Sequence, residues 1–477
     1  MNIKLWDHQQ RGVENALAAG DGYAFFFEQG TGKTLTTITT LRAWMNEEKR
    51  VIPTLILCPP IVVENWKREI AKFSKIPSDR VICLRGTGKK RLELLLDALK
   101  KWGGECIFIT NYETLLMAPV FQAFRAMEIG VLVCDESQKV KSTSSKRTKA
   151  AVKLADIAQR RLLLSGTPVL NSPMDLFSQF RILDRGDTFG RNFTAFRSAY
   201  FYDKNAGMPK AKYFPNWVIK SGAYDDINRK IKKRSLRVKK EECLDLPNLV
   251  RQQVFVELSR DQKKHYAEMR DHFITYLSDK AASVGALAIT KALRLQQIVS
   301  GFLKVEDDDG NQTNFSFKNN PRAKALKEIL EELAPNHKVL VWAVFKENYG
   351  VIRSVCDDLG LPYVEVHGEV SPKARDEAVD QFNNDENVRV FIGHPRSGGI
   401  GVNLVVSDYS VFYSRSFSLE DDLQAEARNH RGGSEIHEKI TRIDLIAAGT
   451  IDEHICKALA GKQDISEKLL RDIAGAL

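Results

Sequence analysis

The chain lacks any apolar run long enough to cross a membrane, although 43 % of its 477 residues are hydrophobic. A membrane-spanning helix needs about 20 consecutive apolar residues, and no segment reaches that length. Residues 1–7 also lack the basic start and apolar core of a secretory signal. We therefore expect a cytoplasmic protein with enough apolar material for two sizeable cores.

The chain also lacks any cysteine pattern typical of a metal site. Its seven cysteines are scattered and no two form a CxxC pair. Cys58 and Cys134 lie inside apolar runs, which is typical of buried, reduced thiols. The sequence therefore predicts no structural metal and a reducing intracellular compartment. There is no short-period repeat and no low-complexity tract, which argues against a repeat architecture.

Positive charge, in contrast, is abundant and concentrated. The formal net charge is +10, and residues 204–240 hold twelve Lys and Arg against two Asp, which equals the whole excess. Tyr213, Phe214, Trp217 and Tyr224 interleave with the early part of this segment. Such a segment is either a solvated surface or a binding face for a polyanion, and its concentration favours nucleic acid.

Short apolar runs alternate with helical patterns in both halves of the chain. In the first half the strand-like runs are 23–27, 54–58, 106–110, 131–134 and 161–164, with helices at 34–45 and 63–73. In the second half they are 339–342, 363–366, 388–392, 411–413 and 439–445, with helices at 346–359, 371–382 and 420–431. This alternation predicts an α/β fold with two parallel sheets covered on both faces.

The middle of the chain, at about 175–330, has long helical patterns and one strand candidate at 252–258. Residues 305–320 are polar and acidic, which predicts a mobile loop. We therefore predict an N-terminal lobe at 1–245 with a basic helical insertion at about 175–235. A C-terminal lobe at 246–455 has a helical insertion at about 258–335, and a helical tail follows at 456–477.

A glycine loop, Gly30-Thr31-Gly32-Lys33-Thr34, lies between a predicted strand and a predicted helix. Glycines let the backbone N–H groups turn toward phosphate oxygens, and the helix directs its positive end at the same anion. Lys33 would reach the β- and γ-phosphates of ATP, and the Thr34 hydroxyl would bind Mg²⁺. The general phosphate-loop pattern needs a glycine at position 27, where Phe27 stands, so the loop is a helicase-type variant.

Two further groups carry chemistry. The apolar run 131–134 leads directly into Asp135 and Glu136. Asp135 can hold Mg²⁺ through water, and Glu136 can orient and deprotonate the attacking water. Arg428 and Arg431 lie three residues apart, which predicts one face of a helix. They are either part of a solvated basic face or two arginine fingers that contact the γ-phosphate.

Taken in chain order, these features resemble the Swi/Snf-type ATPases of helicase superfamily two, over most of the chain. Residues 5–13 resemble the adenine-reading Q motif, which puts Gln9 on the base. The segments that resemble the other motifs are 57–66 (Ia), 110–114 (Ib and Ic), 135–138 (II), 164–171 (III), 339–342 (IV), 397–404 (V) and 422–431 (VI). The short length suggests a compact prokaryotic or phage-like member.

The resemblance implies two RecA-like lobes in tandem that bind ATP and Mg²⁺ at their interface. It implies movement on double-stranded DNA through backbone contacts, which are independent of base sequence. Gly401 is expected to contribute to the ATP site. The DNA contacts that the resemblance and the basic segment suggest are Pro59, Lys141, Lys230, Lys232, Lys233, Arg396 and Ser397. We expect a monomer in the absence of DNA.

Three positions depart from the family pattern. Gln138 replaces the histidine of motif II, His394-Pro395-Arg396 precedes motif V, and Ser434 replaces a glutamine after motif VI. A glutamine can still donate a hydrogen bond where the histidine links hydrolysis to motif III. The leading hypothesis is an ATP-driven translocase on duplex DNA, a motor that could also remodel protein–DNA complexes. The alternatives are a strand-separating DNA or RNA helicase and a nucleic-acid clamp that does not hydrolyse ATP.

Overall fold

The structure is a computed structural model that describes residues 4–170, 172–208, 215–243, 246–279, 284–306, 312–396 and 402–474. The chain divides into two compact units. The first unit comprises Met1–Lys204, Pro215–Leu244 and Lys462–Leu477, and the second comprises Asn205–Phe214 and Asp245–Gly461. No helix in the described ranges is long and apolar enough to cross a membrane.

The elements of the first unit begin with a helix and continue as alternating strands and helices. Its strands are β1 Gly22–Phe27, β2 Thr54–Cys58, β3 Val81–Cys83, β4 Ile107–Asn111, β5 Val131–Asp135, β6 Arg160–Leu164, β7 Phe201–Asp203, β8 Trp217–Ile219 and β9 Ser235–Val238. Its helices are α1 Asp7–Ala19, α2 Lys33–Glu48, α3 Val63–Phe73, α4 Gly88–Trp102, α5 Ala118–Ala126, α6 Lys146–Ile157, α7 Asp175–Leu183, α8 Phe193–Tyr200 and α9 Ala223–Lys232.

The first sheet has seven parallel strands in the order β3-β4-β2-β5-β6-β1-β9. Successive side chains on a strand point to opposite faces. On β1, Ala24 and Phe26 belong to one core, whereas Tyr23, Phe25 and Phe27 belong to the other. Because both faces are buried, the strands are almost wholly apolar. Only β6 separates β1 from β5, so the segments that follow these two strands leave the sheet at the same edge.

The second unit repeats this architecture. Its strands are β10 Asn248–Val256, β11 Phe302–Glu306, β12 Gln312–Ser316, β13 Val339–Trp342, β14 Tyr363–Val366, β15 Val390–Gly393, β16 Tyr409–Phe412 and β17 Lys439–Ala447. The remaining helices are α10 Arg260–Asp279, α11 Val284–Val299, α12 Pro321–Leu333, α13 Lys346–Asp358, α14 Pro372–Asn384, α15 Leu419–Glu426 and α16 Ile451–Ala474. The second sheet has six parallel strands in the order β10-β17-β16-β13-β15-β14.

The prediction of two parallel sheets, each covered on both faces, is confirmed. On β13, Val339 and Val341 belong to one core, and Leu340 and Trp342 belong to the core on the opposite face. The apolar runs at 54–58, 339–342 and 363–366 form strands with the predicted bounds. These runs are recognisable because a strand buried on both faces needs no polar alternation.

One prediction about the middle of the chain was wrong, and one part of its basic segment is buried. The helical insertion predicted at about 175–235 ends where the strand β9, Ser235–Val238, begins; this strand pairs with β1, and Arg237 is buried on it. The loop predicted at 305–320 includes β12, which pairs antiparallel with β11, while residues 307–311 lie outside the described ranges. Both strands depend on pairing with other segments, which local composition does not reveal.

Candidate functional site

The glycine loop follows β1 and leads into α2, as the sequence predicted. Gly30 and Gly32 have φ angles of 87° and 84°, in the left-handed region that side chains disfavour. A Cβ atom at Gly32 would lie 1.9 Å from Gln9 Nε2, so a larger residue would displace the Gln9 amide as well as strain the backbone. The loop is therefore shaped by a tight turn beneath the start of α2, which is the geometry expected of a phosphate-binding loop.

Side chains of the loop hold it in this shape. Lys33 Nζ donates to the carbonyl oxygens of Phe27 and Glu28, at 2.8 and 3.1 Å. The Thr31 hydroxyl donates to Glu28 O at 2.8 Å. Thr34 lies half-buried in the first turn of α2. The ammonium of Lys33 thus lies at the end of β1, where bound phosphates would compete with the two carbonyls for it.

The start of α1 contacts the loop through His8 and Gln9. Gln9 Oε1 accepts from Trp6 N at 2.9 Å, and its Nε2 is 3.5 Å from Gly32 O. His8 Nε2 is 2.9 Å from Thr31 O. Sequence reasoning did not select His8, although its position next to Gln9 is a signal for it. His8 and Gln9 thus link α1 to the consecutive carbonyl groups of Thr31 and Gly32.

The acidic pair leaves the same edge of the sheet, at the end of β5. Burial, followed by the charge of Glu136, raises the pKa of Asp135 to about 7, whereas the hydrogen bond from Trp66 and the charge of Lys33 oppose this shift. Glu136 has a φ of 51°, in the left-handed region that is unusual for a residue with a side chain. Strained backbone of this kind clusters at functional sites, which is consistent with a catalytic role for Glu136.

Gln138 connects this pair to the segment that follows β6. Its Nε2 donates to Glu136 Oε2 at 2.6 Å, and its Oε1 accepts from the Ser165 hydroxyl at 2.7 Å. Ser165 Oγ in turn accepts from Thr167 N at 3.0 Å. An amide side chain offers a donor and an acceptor together. The glutamine therefore makes a hydrogen-bonded link to the segment that resembles motif III.

Replacing Gln138 with alanine should reduce ATP turnover, because Glu136 would lose its donor. A hydrogen bond to a charged group is worth about 1.5–3 kcal/mol, so we expect a decrease of about tenfold or more with little change in ATP affinity. Gln138→His retains a donor and should stay within about threefold of the original rate. Equal loss in both variants would show that the hydrogen bond is not what matters.

A second buried link joins the same two segments and was missed by sequence reasoning. The Ser137 hydroxyl donates to Gln179 Oε1 at 2.7 Å, and Gln179 Nε2 donates to Pro168 O at 2.6 Å. Ser137 and Gln179 are both fully buried. The available signal was a glutamine among the apolar residues of α7.

In the second unit, Arg428 and Arg431 both approach one backbone carbonyl. Their Nη1 atoms lie 3.2 and 3.4 Å from Val402 O, and Arg428 Nε donates to Gln424 O at 2.8 Å. The predicted helix 420–431 was too long, because α15 ends at Glu426 and both arginines lie in the turns that follow. Buried Arg428 binds a carbonyl of the last helical turn, which caps the helix before the arginines.

Charged residues inside strand β17 support α15 and were also missed. Arg442 is buried and donates to Asp422 and Glu426 of α15 at 3.0 Å each, and to Asp444. Arg251 on β10 makes a bidentate pair with Glu426. Buried charges are tolerated only when paired in this way. The network fixes the end of α15, two residues before Arg428.

The residues suggested for nucleic acid have different environments. Lys230 Nζ contacts the Tyr200 hydroxyl at 2.6 Å and Asp226 at 3.1 Å, so this lysine supports its own unit. Lys141 pairs with Asp175 at 3.6 Å. Lys232, Lys233 and Arg396 are exposed, whereas Pro59 is buried and its neighbour Pro60 is exposed. Ser397 and Gly401, with most of the segment resembling motif V, lie outside the described residues.

ATP and Mg²⁺ fit the residues of the first unit. The left-handed glycines leave backbone N–H groups at the start of α2 for phosphate oxygens, and Lys33 supplies a cation. The raised pKa of Asp135 means that its charge is poorly compensated by the protein. A divalent cation would provide that compensation, so Asp135 and Thr34 are the residues that would hold Mg²⁺.

Replacing Asp135 with asparagine should stabilise the nucleotide-free protein at pH 8. An aspartate in an unfolded chain titrates near 4, and the native pKa of Asp135 is raised to about 7. The native state therefore loses stability as pH rises from about 4 to about 7, where only the unfolded chain ionises. We expect the Tm in EDTA to rise by about 2–4 °C at pH 8 and by less at pH 5. A lower Tm for Asp135→Asn at pH 8 would contradict this argument.

Comparison with known proteins gives matches over nearly the whole chain. Residues 8–305 match the family model of the SNF2-related domain, and residues 321–433 match that of the helicase conserved C-terminal domain. A Mus musculus protein named chromodomain-helicase-DNA-binding protein 1-like is 26 % identical over 489 residues, which cover 98 % of this chain and 50 % of that protein. An uncharacterized ATP-dependent helicase of Mycoplasma pneumoniae is 27 % identical over 474 residues, which cover 98 % and 42 %. The chain thus spans half the length of these relatives or less.

Among solved structures, the chain is similar to the Sulfolobus solfataricus SWI2/SNF2 ATPase core in complex with dsDNA. That match has a TM-score of 0.44 and 23 % identity, and it covers 99 % of this chain and 94 % of that one. A second match, the core domain from the same organism, has a TM-score of 0.43 and 24 % identity.

Proposed function

The chain belongs to the SNF2-related domain family, and on this premise we propose that it is an ATP-hydrolysing motor that moves on double-stranded DNA. The observation that carries the proposal is the arrangement within the first unit. A glycine loop with Lys33 and an acidic pair leave the same sheet edge, and Gln138 bonds Glu136 to Ser165. This set supplies phosphate binding, metal binding, a general base and a link to a second segment.

Each residue has a proposed role in the reaction. Lys33 and the loop N–H groups bind the phosphates, and Gln9 orients the base. Asp135 and Thr34 hold Mg²⁺, which neutralises developing charge on the phosphates when it is bound. Glu136 accepts a proton from the attacking water. Arg428 and Arg431 are proposed, from the resemblance, to stabilise the charge of the transferred phosphate.

ATP turnover measured with no nucleic acid, single-stranded DNA, duplex DNA and RNA tests the proposal. We expect the largest stimulation with duplex DNA. Displacement of a third strand from a triplex, without separation of the duplex below it, would indicate translocation. Efficient strand separation would favour a helicase, and binding without any ATP turnover would favour a clamp.

Reversing the charges of Lys232 and Lys233 should weaken DNA binding. Both are exposed at and just after the end of α9, whereas Lys230 is paired within its unit. Each phosphate contact contributes about 0.9 to the slope of log K against log salt, so the double variant should flatten the slope by roughly 2. The matched control is Lys149→Glu with Lys153→Glu, two exposed lysines of α6. Equal weakening in both pairs would indicate a general charge effect.

The proposal includes further assignments that rest on sequence alone. Pro59, Lys141 and Arg396 would contact the DNA backbone, together with Ser397, and Gly401 would contact ATP. We propose a monomeric, cytoplasmic protein in the absence of DNA. Analytical sedimentation of the DNA-free protein tests whether it is a monomer.

A further inference from the structure

The side chain of Trp66 contacts the carboxylate that would hold Mg²⁺. Its Nε1 donates to Asp135 Oδ2 at 2.9 Å, and Trp66 is 1 % exposed. An indole N–H can only donate, so the direction of this hydrogen bond is unambiguous. We propose that Trp66 is a positioning residue for this carboxylate. We also propose that it transmits DNA binding at residues 59–62 to the metal site, which rests on the proposed function.

The fold brings Trp66 to this place through adjacent strands. β2 and β5 are parallel neighbours, with Leu57 opposite Cys134, so Cys58 and Asp135 leave the sheet side by side. After Pro59 the chain forms a short 3-10 helix, Pro60–Val62, and continues directly into α3. Trp66 follows at the end of the first turn of α3. Pro59 and Trp66 are therefore joined by continuous helical backbone.

The carboxylate is held by neutral donors. Oδ2 accepts from Trp66, and Oδ1 accepts from the backbone N–H of Glu136 at 3.0 Å. The Tyr112 hydroxyl donates to the backbone carbonyl of Asp135 at 2.7 Å. A neutral donor fixes the orientation of a carboxylate without cancelling its charge. Such a partner orients a metal-binding group while leaving its negative charge for the cation.

The segment before Trp66 is also restrained on its outer side. Arg85 Nη2 lies 3.4 Å from Pro60 O, and Arg85 Nη1 pairs with Glu64 at 3.3 Å. Pro59, a proposed contact of the DNA backbone, precedes this segment and is buried, whereas Pro60, the first residue of the segment, is exposed. A shift of the segment on DNA would move the start of α3, and Trp66 would carry that shift to Asp135. DNA binding would thus adjust the orientation of the metal-holding carboxylate.

The first test is the Mg²⁺ requirement for binding a fluorescent ATP analogue, without DNA. Trp66→Phe removes the donor, and Trp44→Phe is the matched control, because Trp44 is buried in the same core and stacks with Arg160. Loss of an outer partner of a metal ligand costs about 10- to 100-fold in metal affinity. We expect half-maximal binding to need about tenfold more Mg²⁺ in Trp66→Phe only. An unchanged Mg²⁺ requirement would overturn the positioning role.

A second variant guards against a folding defect. Should Trp66→Phe lower the Tm markedly, benzothienylalanine at position 66 replaces the indole N–H with sulfur and keeps the ring shape. The expected result is the same tenfold increase. A wild-type Mg²⁺ requirement in this variant would show that the indole only fills space.

The second test is the ratio of ATP turnover with and without duplex DNA. We expect Trp66→Phe to reduce this ratio toward one, through kcat and with little change in the KM for ATP, whereas Trp44→Phe keeps it. An unchanged ratio in Trp66→Phe would overturn the link to DNA. If the original protein shows no stimulation, the proposed function fails, while the Mg²⁺ measurement still decides the role of Trp66.

Discussion

Replacing Glu136 with glutamine is expected to reduce ATP turnover about 10³-fold while ATP binding is retained. The reason is that a positioned general base contributes about 10²- to 10⁴-fold to a rate, and an amide cannot accept the proton. Glutamine has nearly the same shape, so the left-handed backbone at 136 and the partner Gln138 can remain in place. Turnover and affinity should be measured separately, by phosphate release and by fluorescent nucleotide titration.

Lys33→Ala is the contrasting variant, since it should lose nucleotide affinity as well as turnover. Lys33 lies at the end of β1 and holds two carbonyl groups of the loop, so its loss removes a phosphate ligand and loosens the loop. The two variants together separate binding from chemistry. Normal turnover in Glu136→Gln would exclude Glu136 as the base. If the original protein does not hydrolyse ATP with or without duplex DNA, the result would favour a nucleic-acid clamp that does not turn over ATP.

The second large effect is expected at Arg431. An arginine finger contributes roughly 10³- to 10⁵-fold to turnover, because it stabilises charge that develops on the transferred phosphate. Arg431→Ala should therefore reduce kcat at least about 10³-fold with little change in ATP affinity. Its contact to Val402 O is long, at 3.4 Å, and its side chain is half-buried.

Arg428 provides the comparison, because the structure gives it a different environment. It is 4 % exposed and donates to Gln424 O and Val402 O. Removing it would take away the buried hydrogen bond to Gln424 O, at a cost of about 1–3 kcal/mol in the free energy of unfolding. Arg428→Ala should thus lower the Tm by several degrees as well as turnover. Wild-type turnover in Arg431→Ala at saturating ATP would remove Arg431 from the reaction.

The candidate site was predictable where its signal is local in sequence. The glycines of the loop, Lys33 and the acidic pair after an apolar run were recognisable, because tight turns and strand ends require particular residues at consecutive positions. The structure places them at one sheet edge. The prediction for Gly401 and Ser397 concerns residues outside the described ranges and stays a prediction.

The site was not predictable where partners are distant in sequence. Trp66 lies in the segment that resembles motif Ia, but its indole contacts Asp135, which lies 69 residues further along the chain. Gln179 similarly belongs to a predicted helical region, and no local pattern indicates that its side chain hydrogen-bonds Ser137 and Pro168. The residues of the basic segment 204–240 also differ in burial. Pairing with β1 buries Arg237, whereas Lys232 and Lys233 remain exposed.

The sequence by itself determined the fold class, the two parallel sheets and the place of the glycine loop between a strand and a helix. These properties follow from apolar runs and from residues within one turn, whose physical requirements are local. Only the tertiary structure decided which side chains hold the acidic pair, and which of two neighbouring arginines is buried. Those outcomes depend on hydrogen bonds and burial between segments far apart in the chain, and no local pattern specifies such partners.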